Sequence, residues 1–187
     1  MYHTTHVING YSQMITDRLN AGWDGYLLTF MFKPIGGSHR NVKRQMEREL
    51  ERVYGKSLTR IIRKPASHEI NELPLWIACP DYPVPKGSSE RQSLRDVTVN
   101  DGRHMHADVV IPPWSRMKED LATHFDEKQS HYVTADSALF RIDAVPITHD
   151  PNYVTGYVLK ALRRGWVGEA EILVLPRSAT ELRDKAA

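Results

Sequence analysis

The sequence predicts an α+β fold, a central antiparallel β-sheet flanked by helices, on three observations. Strand-like and helix-like segments are mixed without regular β-α alternation, which argues against a parallel doubly wound sheet. The run Tyr26-Leu27-Leu28-Thr29-Phe30-Met31-Phe32 is apolar on both faces, as a central strand must be. Helix-like segments such as the one holding Val42, Met46, Leu50 and Val53 carry a single apolar stripe, as helices lying on a sheet do. The chain has 187 residues, enough for one domain with a sizeable core, read here as residues 1–187. Its net charge is only +2, so any partner must be inferred from where charge sits.

Taken in order, residues 1–22 are polar, with Met14, Ile15 and Leu19 as a weak stripe that predicts a short helix over Tyr11–Leu19. Gly22-Trp23-Asp24-Gly25 reads as a turn into the first strand, which Pro34 and Gly36-Gly37 end. Ser38 can cap a helix running to Tyr54, with Gly55 as its stop. One side of that helix carries Arg40, Lys43, Arg44, Arg48 and Arg52, followed by Lys56, Arg60, Arg63 and Lys64, against Glu47, Glu49 and Glu51. This is the densest positive region of the chain. It reads as a DNA-backbone surface, chiefly Lys43, Arg44, Arg48 and Arg52, or as a solvated face with i, i+4 ion pairs.

Leu73–Cys79 reads as a second strand, followed by a Pro/Ser/Gly/Lys-rich loop from Pro80 to about Leu94. Asp96–Val99 suggests a short strand, and Asn100-Asp101-Gly102 a tight turn. The run from Arg103 to Ile111, stopped by Pro112-Pro113, is another strand, because Val109, Val110 and Ile111 are β-branched. Ser115 can cap a helix with Met117, Leu121 and Phe125 on one face, ending near Lys128. Leu139–Ile147 is a strand with Arg141 and Asp143 on one side. Asp150-Pro151 is a capping carboxylate followed by proline at the first helical position, and it opens a helix expected to reach Arg164 before Gly165. Glu169–Leu175 is the last expected strand.

Two of these segments carry chemistry. Residues two apart on a strand share a face, so His104 and His106 project together as a pair of candidate metal ligands. On the Asp150 helix, Tyr153 and Tyr157 are four apart and lie one above the other, with Lys160 three beyond Tyr157. Gly156 between the tyrosines leaves room for another chain to approach. A tyrosine hydroxyl can be a covalent nucleophile when a metal ion activates its electrophile and a cation steadies the transition state. The histidines would supply the metal and Lys160 the cation. Aromatics such as Trp114 or Trp166, if exposed, could stack on nucleic-acid bases.

These residues resemble the motifs of the HUH endonucleases, the rolling-circle replication initiators and their relaxase and transposase relatives. Leu27–Phe32 is similar to the first motif, and His104-Met105-His106 followed by Val109-Val110-Ile111 to the second. Val154-Thr155-Gly156-Tyr157-Val158-Leu159-Lys160 is similar to the third, with Tyr153 giving the two-tyrosine version. The likeness covers about residues 25–175. It implies a divalent metal, Mg or Mn, held by His104, His106 and one further polar residue. Asp81 is the first choice for that residue and Asp101 its competitor. Asp108 stands where the pattern prefers an apolar residue, and could be an extra ligand, a support for a histidine or an edge residue.

The likeness also implies nicking of single-stranded DNA or an origin hairpin through a 5′-phosphotyrosine. Tyr157 would be the primary nucleophile, Tyr153 the second, and Lys160 the helper. The sequence has no phosphate loop of the form Gly-x-x-x-x-Gly-Lys-Ser/Thr, which implies a separate helicase. Rival readings are a metal-dependent phosphodiesterase using activated water, and a non-catalytic DNA-binding regulator on the same fold. Cys79 is the only cysteine, so no internal disulfide is possible and a reducing, cytoplasmic setting is expected. Met1–His6 shows no leader pattern, and no apolar stretch approaches the roughly 20 residues of a membrane span, so no membrane partner is expected.

Overall fold

Strand alternation sorts the apolar residues of this chain into two layers. The computed structural model describes residues 2–81 and 104–177. Its elements are α1 (Tyr2–Asn20), β1 (Asp24–Phe32), α2 (His39–Ile61), β2 (Leu75–Asp81), β3 (His104–Ile111), α3 (Leu121–Glu127), α4 (Gln129–Tyr132), β4 (Leu139–Pro146), α5 (Pro151–Val158), α6 (Lys160–Arg163) and β5 (Leu173–Leu175). The five strands form one antiparallel sheet in the order β4-β1-β3-β2-β5, so the fold is α+β as the segment order predicts.

On one face Phe30, Phe32, Trp76, Met105, Ala107 and Val109 pack against Val42, Met46, Leu50 and Val53 of α2 and Leu121 and Phe125 of α3. On the other face Ile77, Cys79 and Val110 pack against Ile8 and Ile15 of α1 and the Val158–Leu162 stretch. Every residue of β3 after His104 is buried, which is why its Val109–Ile111 run is apolar on both sides. His104, His106 and Asp108 therefore lie on the α1/α5 face, among apolar neighbours.

Several boundaries differ from expectation, each for a local reason. α1 is longer than the Tyr11–Leu19 segment, because Ile8, Ser12 and Ile15 continue a buried stripe toward its N-terminus. α2 passes through Gly55 to Ile61. Burial of Tyr54, Ser57 and Ile61 outweighs the roughly 1 kcal/mol cost of an interior glycine. Its cap is as expected, with the Ser38 hydroxyl accepting from the Asn41 N–H.

Ser115 accepts only from the Met117 N–H, and the helix starts later, at Leu121, capped by Asp120 through the Thr123 N–H at 2.9 Å. The intervening segment is tied to α2 instead, since the Arg116 N–H donates to the Ile61 carbonyl at 2.8 Å. The Asp150 helix is interrupted at Leu159, and its two pieces are α5 and α6. Only Leu173–Leu175 of the last expected strand pairs; Glu169–Glu171 is a 3-10 turn. The expected Asp96–Val99 strand lies outside the described residues, as does Asp101. Among the described residues no helix is long and apolar enough to cross a membrane.

Candidate metal centre

The site begins with an extension of β2. Pro80 does not end that strand, because β5 pairs only with Trp76–Ala78 and leaves the far edge of Pro80 unpaired, where a missing N–H costs nothing. β2 therefore runs on to Asp81, which the antiparallel register sets opposite His104. Strand alternation adds His106 on the same face. Asp81, His104 and His106 offer one ligand atom each, all within 4.8 Å of one another. The register thus brings Asp81 to the histidines, while its competitor Asp101 lies outside the described residues.

Three nitrogens converge on a single oxygen. Asp81 Oδ2 lies 3.0 Å from His104 Nε2, 3.5 Å from His106 Nε2 and 2.7 Å from Lys160 Nζ. The other oxygen, Oδ1, is buried with no hydrogen-bond partner. Burial pushes the Asp81 carboxyl up. Hydrogen bonds from His104, His106 and Lys160 together outweigh it and hold the group well below the usual carboxylate range. His106 moves the other way for an imidazole. Burial lowers its pKa, and the charges of His104 and Lys160 add to that against the pull of Asp81. A neutral imidazole is the ligating form.

The two Nε2 atoms face each other at 3.0 Å, and His106 Nδ1 is hydrogen-bonded to Thr29 Oγ1 at 3.1 Å across the β1–β3 pair. If Nδ1 carries the proton and donates it to Thr29, Nε2 keeps its lone pair for an ion. An ionised carboxylate with an orphaned oxygen and two convergent imidazoles fit a divalent cation. Cys79, on the same strand face, does not join them: burial pushes its thiol up to about 12, and it stays neutral.

The helix carrying the tyrosines lies against this group. The Tyr157 ring centroid is 4.9 Å from that of His106, and Lys160 Nζ stands 4.0 Å over the Tyr157 ring. Lys160 thus touches both Tyr157 and Asp81. Tyr153 is 70% exposed and has no ring contact or hydrogen bond to these residues; it sits one helical turn away. Beside Gly156 lies the guanidinium of Arg163, whose Nη2 would stand 2.6 Å from an added Cβ.

Asp108, expected as a ligand or a support, is neither. It is fully buried two residues along β3 from His106, and its Oδ2 accepts from Thr155 Oγ1 of α5 at 2.6 Å. This contact joins residues 47 apart in sequence, and neither residue alone signals it.

The expected DNA-contact row is elsewhere. α2 packs on the opposite face of the sheet from the histidines. Within that row, Lys43 is paired with Glu47 at 3.5 Å and Glu171 at 3.7 Å. Arg52 binds Glu49 and the Tyr132 carbonyl, both at 2.6 Å. Arg44 and Arg48 are exposed. Trp114 follows the far end of β3, away from the metal group, and Trp166 follows α6 with the Arg164 guanidinium 4.9 Å over its ring. The chain matches no family model, no curated protein and no solved structure.

Proposed function

We propose that this chain nicks and rejoins single-stranded DNA through a covalent 5′-phosphotyrosine, in the manner of a rolling-circle replication initiator. The observation that carries the reading is the position of Lys160, within 2.7 Å of Asp81 and 4.0 Å over the Tyr157 ring, beside the His104/His106 pair. A nucleophile, a cation and a metal-ligand set in one place are what attack on an anionic phosphodiester requires.

In this reading Asp81, His104 and His106 hold Mg or Mn, and the bound ion supplies Lewis-acid withdrawal of charge from a phosphate oxygen. Two imidazoles in the donor set favour Mn over the all-oxygen preference of Mg. Tyr157 supplies the attacking oxygen. Its O–P bond forms as the bond from phosphorus to the 3′ oxygen breaks. The phenolic proton goes to solvent, and the departing oxygen takes up a proton to become a 3′ hydroxyl. One ester replaces another, so the reverse attack by a 3′ hydroxyl rejoins the strand without an external energy source. Lys160 offsets negative charge on the phosphate and the leaving group. Tyr153 is the second nucleophile, and Arg44 and Arg48 are the members of the α2 row open to a DNA backbone.

Incubation with labelled single-stranded DNA and Mn²⁺, followed by a denaturing gel, tests the reading. The wild type transfers label to protein, Tyr157→Phe abolishes that transfer while leaving DNA binding within about 2-fold, and His106→Ala lowers it at least about 10-fold. Cleavage without any protein-linked label would instead identify a phosphodiesterase using activated water. Metal-independent DNA binding with no cleavage would identify a regulator.

A further inference from the structure

A second concentration of charge lies at the opposite end of β3 from His104, on the other face of the sheet. The seven residue steps from His104 to Ile111 amount to about 23 Å. There the C-terminal end of α2 meets the segment after β3, and two cavities flank Arg116. One, of about 310 Å³, is lined in part by Arg63, Trp114 and Arg116. The other, of about 190 Å³, is lined in part by Arg60, Arg116, Lys118, Lys128 and His131.

The acids at these cavities are already engaged. Glu72 is paired with His68 at 3.2 Å, and Glu119 with His124 at 2.8 Å. Lys128 is paired with Glu127 at 3.6 Å. No ion pair among the described residues involves the side chains of Arg60, Arg63, Arg116 or Lys118. Arg60, Arg63, Arg116, Lys118 and Lys128 line the two cavities against Glu72 and Glu119, so among the described residues the lining is net positive. Trp114 is 49% exposed and is fixed by a T-shaped contact with Trp23, ring centroids 5.4 Å apart. Arginines serving phosphates beside a half-open aromatic ring serving an unstacked base make the chemistry of a single-strand platform. An acidic peptide would use the charges and leave Trp114 without a role.

We propose that the double cavity around Arg116 is a binding groove for single-stranded nucleic acid, separate from the metal centre. This goes beyond the nicking reading and does not rest on it. A strand occupying both places, stacked at the duplex rise of roughly 3.4 Å, would need about seven nucleotides to cover that length, and an extended strand fewer.

The test uses the full chain with chelator present, so that nothing is cut. The probe is a fluorescein-labelled oligothymidylate longer than the roughly 4–16 nucleotides of a single-strand site, followed by anisotropy over a salt series. Arg60→Glu combined with Arg116→Glu weakens binding at least about 10-fold and flattens the log–log salt slope by about 1.4, the share of two phosphates on a single strand. Trp114→Ala weakens binding at least about 5-fold and leaves the slope unchanged, because stacking releases no counterion. Circular dichroism checks the fold, and Arg63→Glu with Lys118→Glu repeats the measurement from the other side of each cavity. Wild-type affinity and slope in both charge-reversed variants overturn the groove. So does wild-type affinity in Trp114→Ala, or equal binding of a duplex of the same length. Absence of a protein–DNA adduct in the separate nicking assay would refute the nuclease reading and leave this groove standing.

Discussion

Asp108 is the side chain whose chemistry the fold changes most visibly. Burial raises its pKa to about 7, and the hydrogen bond from Thr155 only partly opposes the rise. An unfolded aspartate titrates near 3.9. Between those values the folded state holds a proton that the unfolded state has lost. The associated stability is full below about pH 4 and is lost as pH rises through about 7. Asn at this position still accepts from Thr155 but never ionises. Its NH2 replaces the unpartnered Oδ1 and adds a cost independent of pH. The expected signature of Asp108→Asn is therefore a slope. Relative to wild type, the variant gains on the order of 2 kcal/mol between about pH 5 and pH 8. Urea unfolding at both pH values reads it directly. A gap that does not change with pH would mean that Asp108 titrates like an exposed carboxylate.

At the scale of elements, the Thr155–Asp108 contact fixes where α5 sits on β3, and so where Tyr157 stands relative to His106. Thr155 lies between the two tyrosines in sequence and is fully buried, while Tyr153 is exposed and Tyr157 packs beside His106. Thr155→Val keeps the shape and removes the donor, leaving a buried carboxyl without a partner. The expected cost is about 1–3 kcal/mol. Under the nicking reading, Thr155→Val should also cut the adduct rate at least about 5-fold, by letting the helix shift, while Mn²⁺ affinity holds. Thr155→Ser restores the donor and should restore the rate. Calorimetric metal titration beside single-turnover adduct kinetics separates these effects, and a rate in Thr155→Val equal to wild type would dismiss the contact as packing alone.

Much of this arrangement was legible from local pattern. Alternation in β3 put the histidines on one face, and Asp150-Pro151 announced the start of the tyrosine helix. Helical spacing placed Lys160 near Tyr157. What was not legible depends on tertiary register. Asp81 is legible as a candidate at the end of its strand, but the continuation of β2 through Pro80 to pair Asp81 with His104 depends on the unpaired edge beside Pro80. The Thr155–Asp108 bond and the continuation of α2 past Gly55 depend on burial that no short window contains. The basic row of α2 was visible as charge, but its separation from the histidines follows only from which face of the sheet it covers.

For the whole molecule, the position of Asp81, His104 and His106 would make binding of a metal ion a global stabiliser. His106 belongs to β3, the middle strand of the sheet, whose two sides anchor the two hydrophobic cores. Asp81 belongs to β2, the next strand, so an ion shared between them ties strands that must separate when the chain unfolds. An unfolded chain separates Asp81 from the two histidines and binds the ion more weakly. Stability should then rise as RT ln(1 + [metal]/Kd), about 2.7 kcal/mol at a metal concentration 100-fold above Kd. For a chain of this length, each kcal/mol shifts the melting temperature by roughly 2–4 °C, so Mn²⁺ should raise it by about 5–10 °C. Asp81→Asn lowers the starting temperature, because the paired carboxylate is lost, but the decisive quantity is the shift that Mn²⁺ produces. In that variant the shift should fall to a small fraction of the wild-type value. Differential scanning calorimetry with and without Mn²⁺ measures both, and an undiminished shift in Asp81→Asn would place the stabilising ion somewhere other than beside His104 and His106.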